Sequence, residues 1–184
     1  MKPNWFIGWP VVPTSGLLEE LPTPPAGVRV FSAVDLHATL AFLGPVSEDA
    51  ALRAFTLATE WTGTPIQARF GAVVPMGRPE RPSALAAELS DDGNRLVEAM
   101  LKFRKPMQRA AGARIDRRPP RPHVTLARPR RRATEPQRTA ALEWASSIQL
   151  PEQPVSLFSL ALYTWAQDRR RSLFRVVEQH ILRP

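Results

Sequence analysis

The sequence predicts a mixed domain of the α+β or α/β kind, built as two similar lobes. Stretches with strand and helix character are interspersed along 184 residues, a length that suits one core with two lobes over residues 1–184 rather than two independent domains. The succession of strands and helices favours mixed architecture over an all-α or all-β one. One unit, a strand opening on a histidine and followed by a helix, also occurs twice, which implies that each lobe contributes an equivalent edge to a shared cleft.

In chain order, residues 5–12 are an apolar, aromatic and β-branched run that reads as a strand, cut short by Pro10 and Pro13. A turn or helical turn is expected around 15–21, and the prolines and glycine of 21–27 make a loop. Residues 28–31 form a short strand, and 36–43 a buried one that Gly44 and Pro45 stop. Ser47 is placed as the N-cap of a helix reaching about Trp61, with Glu48 and Asp49 in its first turn and Leu52, Phe55 and Thr59 at helical spacing. Strands follow at 70–74 and 83–89. A second helix starts at Asp91 or Asp92 and carries the stripe Leu96, Val97, Met100, Leu101 and Phe103, ending before Pro106 or continuing past a break there. Residues 123–127 are a strand, Thr134 opens a third helix through Trp144, and 155–165 and 172–177 are two strands joined by a polar turn at 167–171.

Composition narrows the chemistry. With no cysteine there is no disulfide, thiolate metal site or cysteine nucleophile. No stretch approaches the roughly 18–20 apolar residues of a membrane span, and the first ten residues lack the apolar core of a signal peptide, so a cytoplasmic protein without a membrane partner is expected; a monomer is the expected state. Twenty-five basic against 17 acidic residues give a net charge of +8, which favours polyanions such as nucleic acid. Twelve of the basic residues lie between Lys102 and Arg132, where Asp116 is the one acid. Most of these read as a solvated face, but a histidine motif sits among them.

The repeated unit is His37-Ala38-Thr39-Leu40 and His123-Val124-Thr125-Leu126. Alternation along a strand puts His37 and Thr39 on one face and Ala38 and Leu40 on the other, and the second copy repeats the pattern. A lone His-x-Thr reads first as a strand histidine satisfied by its neighbours. Two of only three histidines falling in matched tetrapeptides, 86 residues apart, outweigh that reading. Histidine exchanges protons near neutral pH, so an opposed pair suits phosphoester hydrolysis, one ring activating water and the other protonating the leaving alkoxide. The threonine hydroxyls can donate to phosphoryl oxygens. His180 lacks a following threonine and reads as structural or exposed, and no His-Glu-x-x-His spacing points to zinc. Asp35, the one nearby carboxylate, shares the face of His37 if the strand reaches that far. No metal or other cofactor is expected.

His37 to Gly44 (HATLAFLG) and Arg121 to Arg128 (RPHVTLAR) resemble the two signature motifs of the two-histidine (2H) phosphoesterase superfamily, in particular its RNA 2',3'-cyclic phosphodiesterase branch, also called 2'-5' RNA ligase. The resemblance implies a bilobal α+β fold with pseudo-twofold symmetry and a central cleft. It implies hydrolysis of an RNA-type 2',3'-cyclic phosphate to a 2'-phosphomonoester, possible reverse ligation, His37 as acid, His123 as base, and Thr39 and Thr125 on the phosphate. Family members usually carry a longer first helix where this chain is short and proline-rich before His37, which bears on the substrate entrance. Arg121 and Arg128 flank the second motif as candidate phosphate ligands. Strand parity places Arg121 with His123 if Pro122 leaves the strand intact, and Arg128 on the opposite face. Phe42, Tyr163 and Trp165 are candidates for stacking on a base, with core packing the plainer role for Phe42.

Two other readings use the same residues differently. A nucleic-acid-binding module without turnover needs the basic segment but not the histidines. A 2H relative acting on another cyclic or 2',5'-linked phosphodiester shares both histidines and differs only in its substrate.

Overall fold

The computed structural model of the chain describes residues 2–12, 17, 18, 20–61, 63–78 and 80–183. Part of the turn expected around 15–21 lies outside the described residues; Leu17 and Leu18 do lie in a turn. The strands are β1 (Trp5–Pro10), β2 (Val28–Val30), β3 (His37–Gly44), β4 (Ile66–Arg78), β5 (Arg81–Ser90), β6 (His123–Pro129), β7 (Val155–Leu157), β8 (Ser159–Trp165) and β9 (Phe174–Ile181). The α-helices are α1 (Glu48–Thr56), α2 (Arg95–Ala110) and α3 (Glu135–Ser147).

All recorded strand pairs are antiparallel, which decides for α+β. The sheet runs β7-β4-β5-β6-β3-β1-β8-β9, with β2 added beside β6. β7 lies at one end of this order and β8 near the other, yet Phe158 alone separates them in sequence, so the sheet must curl into a half-barrel. The same bend explains why the run 155–165 is two strands: its first part pairs with β4 and its second with β1.

Helices cover the outer faces of the two lobes. α1 and α2 pack on β1, β3 and β8 over a core that includes Ile7, Trp9, Leu40, Leu96, Met107 and Leu160. α3 packs on β4 and β5 over a separate cluster of Leu85, Ala127, Ala141, Trp144 and Ala145. Ser47 and Thr134 cap their helices as expected, the latter in a reciprocal pair with Gln137. α1 stops at Thr56 and a 3-10 turn, Leu57–Glu60, carries the chain to Trp61. Asp91 caps α2 from outside, accepting from the amides of Arg95 and Leu96 at 2.8 and 3.1 Å. α2 runs through Pro106, which is exposed, because buried Phe103 and Met107 on either side hold it against the core.

The lobes meet where β3 and β6 touch, at the single pair Ala38 and Val124. A local twofold axis through that pair carries each residue of the first tetrapeptide onto its counterpart in the second. Leu40 is unopposed by β1 and Leu126 is unopposed by β5, so each strand carries a bulge at the same point of its repeat. On β1, Gly8 faces the first bulge, and a Cβ there would lie 2.5 Å from the Ala38 carbonyl oxygen. Gly8→Ala is therefore expected to force β1 from β3 and to lower stability by roughly 1–3 kcal/mol, read by urea denaturation. A midpoint equal to that of the unmodified protein would refute this close packing.

Candidate functional site

β3 and β6 each alternate as the tetrapeptides predict. Ala38, Leu40, Val124 and Leu126 are buried in the core, while His37, Thr39, His123 and Thr125 are half-buried on the other face. The register at Ala38 and Val124 sets His37 beside Thr125 and Thr39 beside His123, so the two histidines lie on one diagonal of a four-residue cluster. β3 and β6 share no other paired residues, which opens the cleft on either side of this contact.

Each ring is oriented in the same way. His37 Nδ1 is 2.7 Å from the carbonyl oxygen of Asp35, and His123 Nδ1 is 2.6 Å from that of Arg121. A carbonyl only accepts, so Nδ1 carries the hydrogen in both and Nε2 is the nitrogen left for chemistry. The hydroxyls of Thr39 and Thr125 have no hydrogen-bond partner among the described residues.

The surroundings of the two rings differ. Phe6 stacks on His37 with centroids 4.5 Å apart, and Tyr163 and Phe174 each lie at 5.3 Å. Burial among these rings pushes the His37 pKa down from 6.5 to about 4, with the nearby Arg128 guanidinium adding to the effect and the Asp35 carbonyl opposing it. His123 lies instead beside β5, directly opposite Glu88, whose carboxylate accepts from Arg121 at 3.0 Å. Sequence reasoning missed Phe6, Phe174 and Glu88. Their contacts arise from strand register between segments distant in sequence.

Asp35 differs from expectation. It ends a 3-10 turn, Ala33–Asp35, so strand parity does not apply, and its buried carboxylate turns toward the β8–β9 connection. There it accepts from the Ser32 and Ser172 hydroxyls at 2.7 and 2.8 Å and from the amides of Leu173 and Phe174 at 2.8 and 3.1 Å. One residue thus anchors the His37 ring through its carbonyl and seats Phe174 through its carboxylate.

Arg128 also departs from simple parity. The bulge at Leu126 returns it to the histidine face, as the bulge at Leu40 returns Phe42. Phe42 pairs with Phe6 and is 51% exposed rather than packed in the core. Tyr163, in contrast, is 2% exposed and stacked on Phe6 at 4.8 Å, so it backs the His37 ring instead of offering a face to a base. Trp165 lies farther out on β8 with the Arg169 guanidinium 4.5 Å over its ring. Arg121 precedes β6 and is committed to Glu88. His180 pairs with Leu160 and lines a separate hollow of about 490 Å³ against α1.

Past Thr39, where β3 has left β6, a cavity of about 1300 Å³ opens between Phe42–Val46 and residues 112–118. Gln108 spans its floor, donating to the Phe42 carbonyl at 3.1 Å and accepting from the Asp116 amide at 3.0 Å. Arg114 and Arg117 line it, while Arg118 is paired with Asp116 at 2.7 Å. Among the described residues, no three histidine, aspartate or glutamate side chains gather as metal ligands, and no helix is long and apolar enough to cross a membrane.

The burial of His37 has a consequence for stability. Its folded pKa, about 4, lies below the unfolded 6.5, so the unfolded chain takes up the proton first. The contribution of neutral His37 is full above about pH 6.5 and is lost as the pH falls toward 4, at most about 3 kcal/mol. Urea midpoints measured across this window should fall more steeply in the unmodified protein than in His37→Gln. Parallel curves would show that the ring is not desolvated.

No family model matches the sequence, and no curated protein does. Solved structures match along the whole chain. TT0787 of Thermus thermophilus aligns at 20% identity with a TM-score of 0.69, covering 98% of each chain. E. coli LigT complexed with 3'-AMP aligns at 19% identity and 0.69 over 100% of both chains, and a phosphoesterase at 19% and 0.70 over 99% of both. Likeness of this extent at this identity is a likeness of fold: the chain has the α+β architecture of LigT and of the matched phosphoesterase, with its two histidine tetrapeptides at the centre of the sheet.

Proposed function

We propose that the protein is a phosphodiesterase that hydrolyses RNA-type 2',3'-cyclic phosphates to 2'-phosphomonoesters, with His37 and His123 as its acid–base pair. The observation that carries this reading is the diagonal placement of two Nε2 atoms on one face, each ring held by a carbonyl two residues upstream. The binding of 3'-AMP and of ATP by LigT supports a nucleotide ligand.

In this mechanism the cyclic phosphate lies between the rings, with Thr39 and Thr125 donating to its non-bridging oxygens. His123 Nε2 takes a proton from water as the water oxygen bonds to phosphorus. The bond from phosphorus to O3' breaks, and Nε2–H of His37 protonates O3'. Exchange with solvent resets both rings. Each positioned proton transfer is worth typically ~10² to 10⁴ in rate.

The resemblance assigns His37 the acid role, whereas its burial favours the reverse order. With a pKa of about 4, His37 carries a second proton, on Nε2, in roughly one molecule in a thousand at pH 7 when the cleft is empty. An acid role therefore requires the bound phosphate anion to draw the proton onto Nε2. In either order kcat/KM reports the coupled pair of the free protein, so its acid limb should lie near pH 4. An acid limb at 6.5 would contradict the burial of His37.

Nucleoside 2',3'-cyclic phosphates should be hydrolysed in the presence of EDTA to the 2' isomer, and His37→Ala and His123→Ala should each lower kcat by about 10² to 10⁴. Zinc- or manganese-dependent turnover would overturn the two-histidine mechanism. A nitrophenyl phosphodiester, whose leaving group needs no proton, assigns the roles: it should restore turnover to the variant lacking the acid alone. A protein that binds RNA equally well with both histidines replaced and turns over no cyclic phosphate would instead be a binding module.

A further inference from the structure

The end of the cleft beside His37 gathers three guanidiniums from three separate segments. Arg29 of β2 lies directly opposite Arg128 of β6, and Arg169 belongs to the β8–β9 connection. Side chains directly opposed in an antiparallel pair share a face with Cβ atoms about 4.5–5.5 Å apart, and like charges so placed repel. None of the three pairs with a carboxylate among the described residues; nearby Asp168 is directed to Arg171 at 3.8 Å and to the Arg170 amide.

These side chains are nonetheless held. Arg29 Nη2 donates to the Arg169 carbonyl at 2.9 Å, Arg169 lies 4.5 Å over the Trp165 ring, and Arg128 lies 5.4 Å over Phe31. Burial and the Arg169 charge both lower the Arg128 pKa, and the Arg128 charge in turn lowers that of His37. A solvated basic surface lets such charges spread apart. Here a backbone acceptor and two aromatic rings restrain them beside the cleft, in a geometry that a multiply charged oxyanion would neutralise.

We propose that Arg29, Arg128 and Arg169 form a binding site for a second phosphate of the substrate, distinct from the phosphate between His37 and His123. This rests on the phosphodiesterase reading and sharpens it: the preferred substrate carries at least one further phosphate next to the cyclic end. That phosphate is either the adjoining phosphodiester of an RNA chain or a 5'-phosphate on a single nucleotide.

Calorimetric titration tests the site without relying on turnover. The probes are adenosine 2'-phosphate, adenosine 2',5'-bisphosphate and a diadenylate ending in a 2'-phosphate. The unmodified protein should bind at least one of the two-phosphate probes about tenfold more tightly than adenosine 2'-phosphate, and which one identifies the source of the second phosphate. Arg29→Gln and Arg169→Gln, both exposed on the surface and expected to fold, should each remove most of that advantage. The ratio of kcat/KM between the corresponding cyclic substrates should fall in parallel. Equal affinity of the unmodified protein for all three probes would overturn the site, as would variants that weaken all three alike. Loss of turnover on every cyclic phosphate, with the binding advantage intact, would refute the enzymatic reading and leave the second-phosphate site standing.

Discussion

β3 and β6 meet at Ala38 and Val124 and then part, and the geometry of the site follows from that contact. Both side chains are buried, so their neighbours in sequence, two histidines and two threonines, are turned to the opposite face. Sliding either strand by one residue would move its histidine into the core and an apolar side chain into the cleft. Apolar packing, which has no interest in phosphate chemistry, therefore sets the register of the polar groups. The separation of the strands beyond this pair leaves the histidines on a shared face with open space on both sides.

The two halves share a backbone plan and differ in what surrounds it. Each motif has its bulge at leucine and its ring tied to a carbonyl two residues upstream. His37 then receives aromatic neighbours from β1, β8 and β9, while His123 receives a carboxylate from β5. Equivalent backbones thus place the two rings in unlike surroundings, and burial among aromatic side chains lowers the proton affinity of His37 below its ordinary value. Asp35 links this chemistry to folding, since the carboxylate that closes the β8–β9 connection belongs to the residue whose carbonyl orients His37.

Much of this was legible in the sequence because it depends on local periodicity. The tetrapeptides, their parity, the caps at Ser47 and Thr134 and the two-lobed plan all lie within a few residues of the signals that reveal them. What escaped depends on pairing between distant strands. Strict alternation put Arg128 on the wrong face, because nothing in Leu126 announces a bulge. Phe42, expected in the core, is exposed because it follows a bulge, and Tyr163, for which packing and stacking were both open, is covered by Phe6 from a strand far away in sequence. Pro106 failed to end α2, since tertiary packing on either side outweighs the hydrogen bond that proline forfeits.

The local twofold is broken beside β2. β2 closes the outer half of β6, and the same 86-residue offset carries Val28–Val30 onto Arg114, Ile115 and Asp116. That segment forms no strand and stands off β3, leaving the large cavity beside Phe42. One end of the cleft is consequently walled by β2, and the other is open. Two matched histidines alone would look the same to a strand entering from either side. The RNA end proposed above as substrate has a 5' and a 3' direction, and the missing strand gives the groove a polarity of its own.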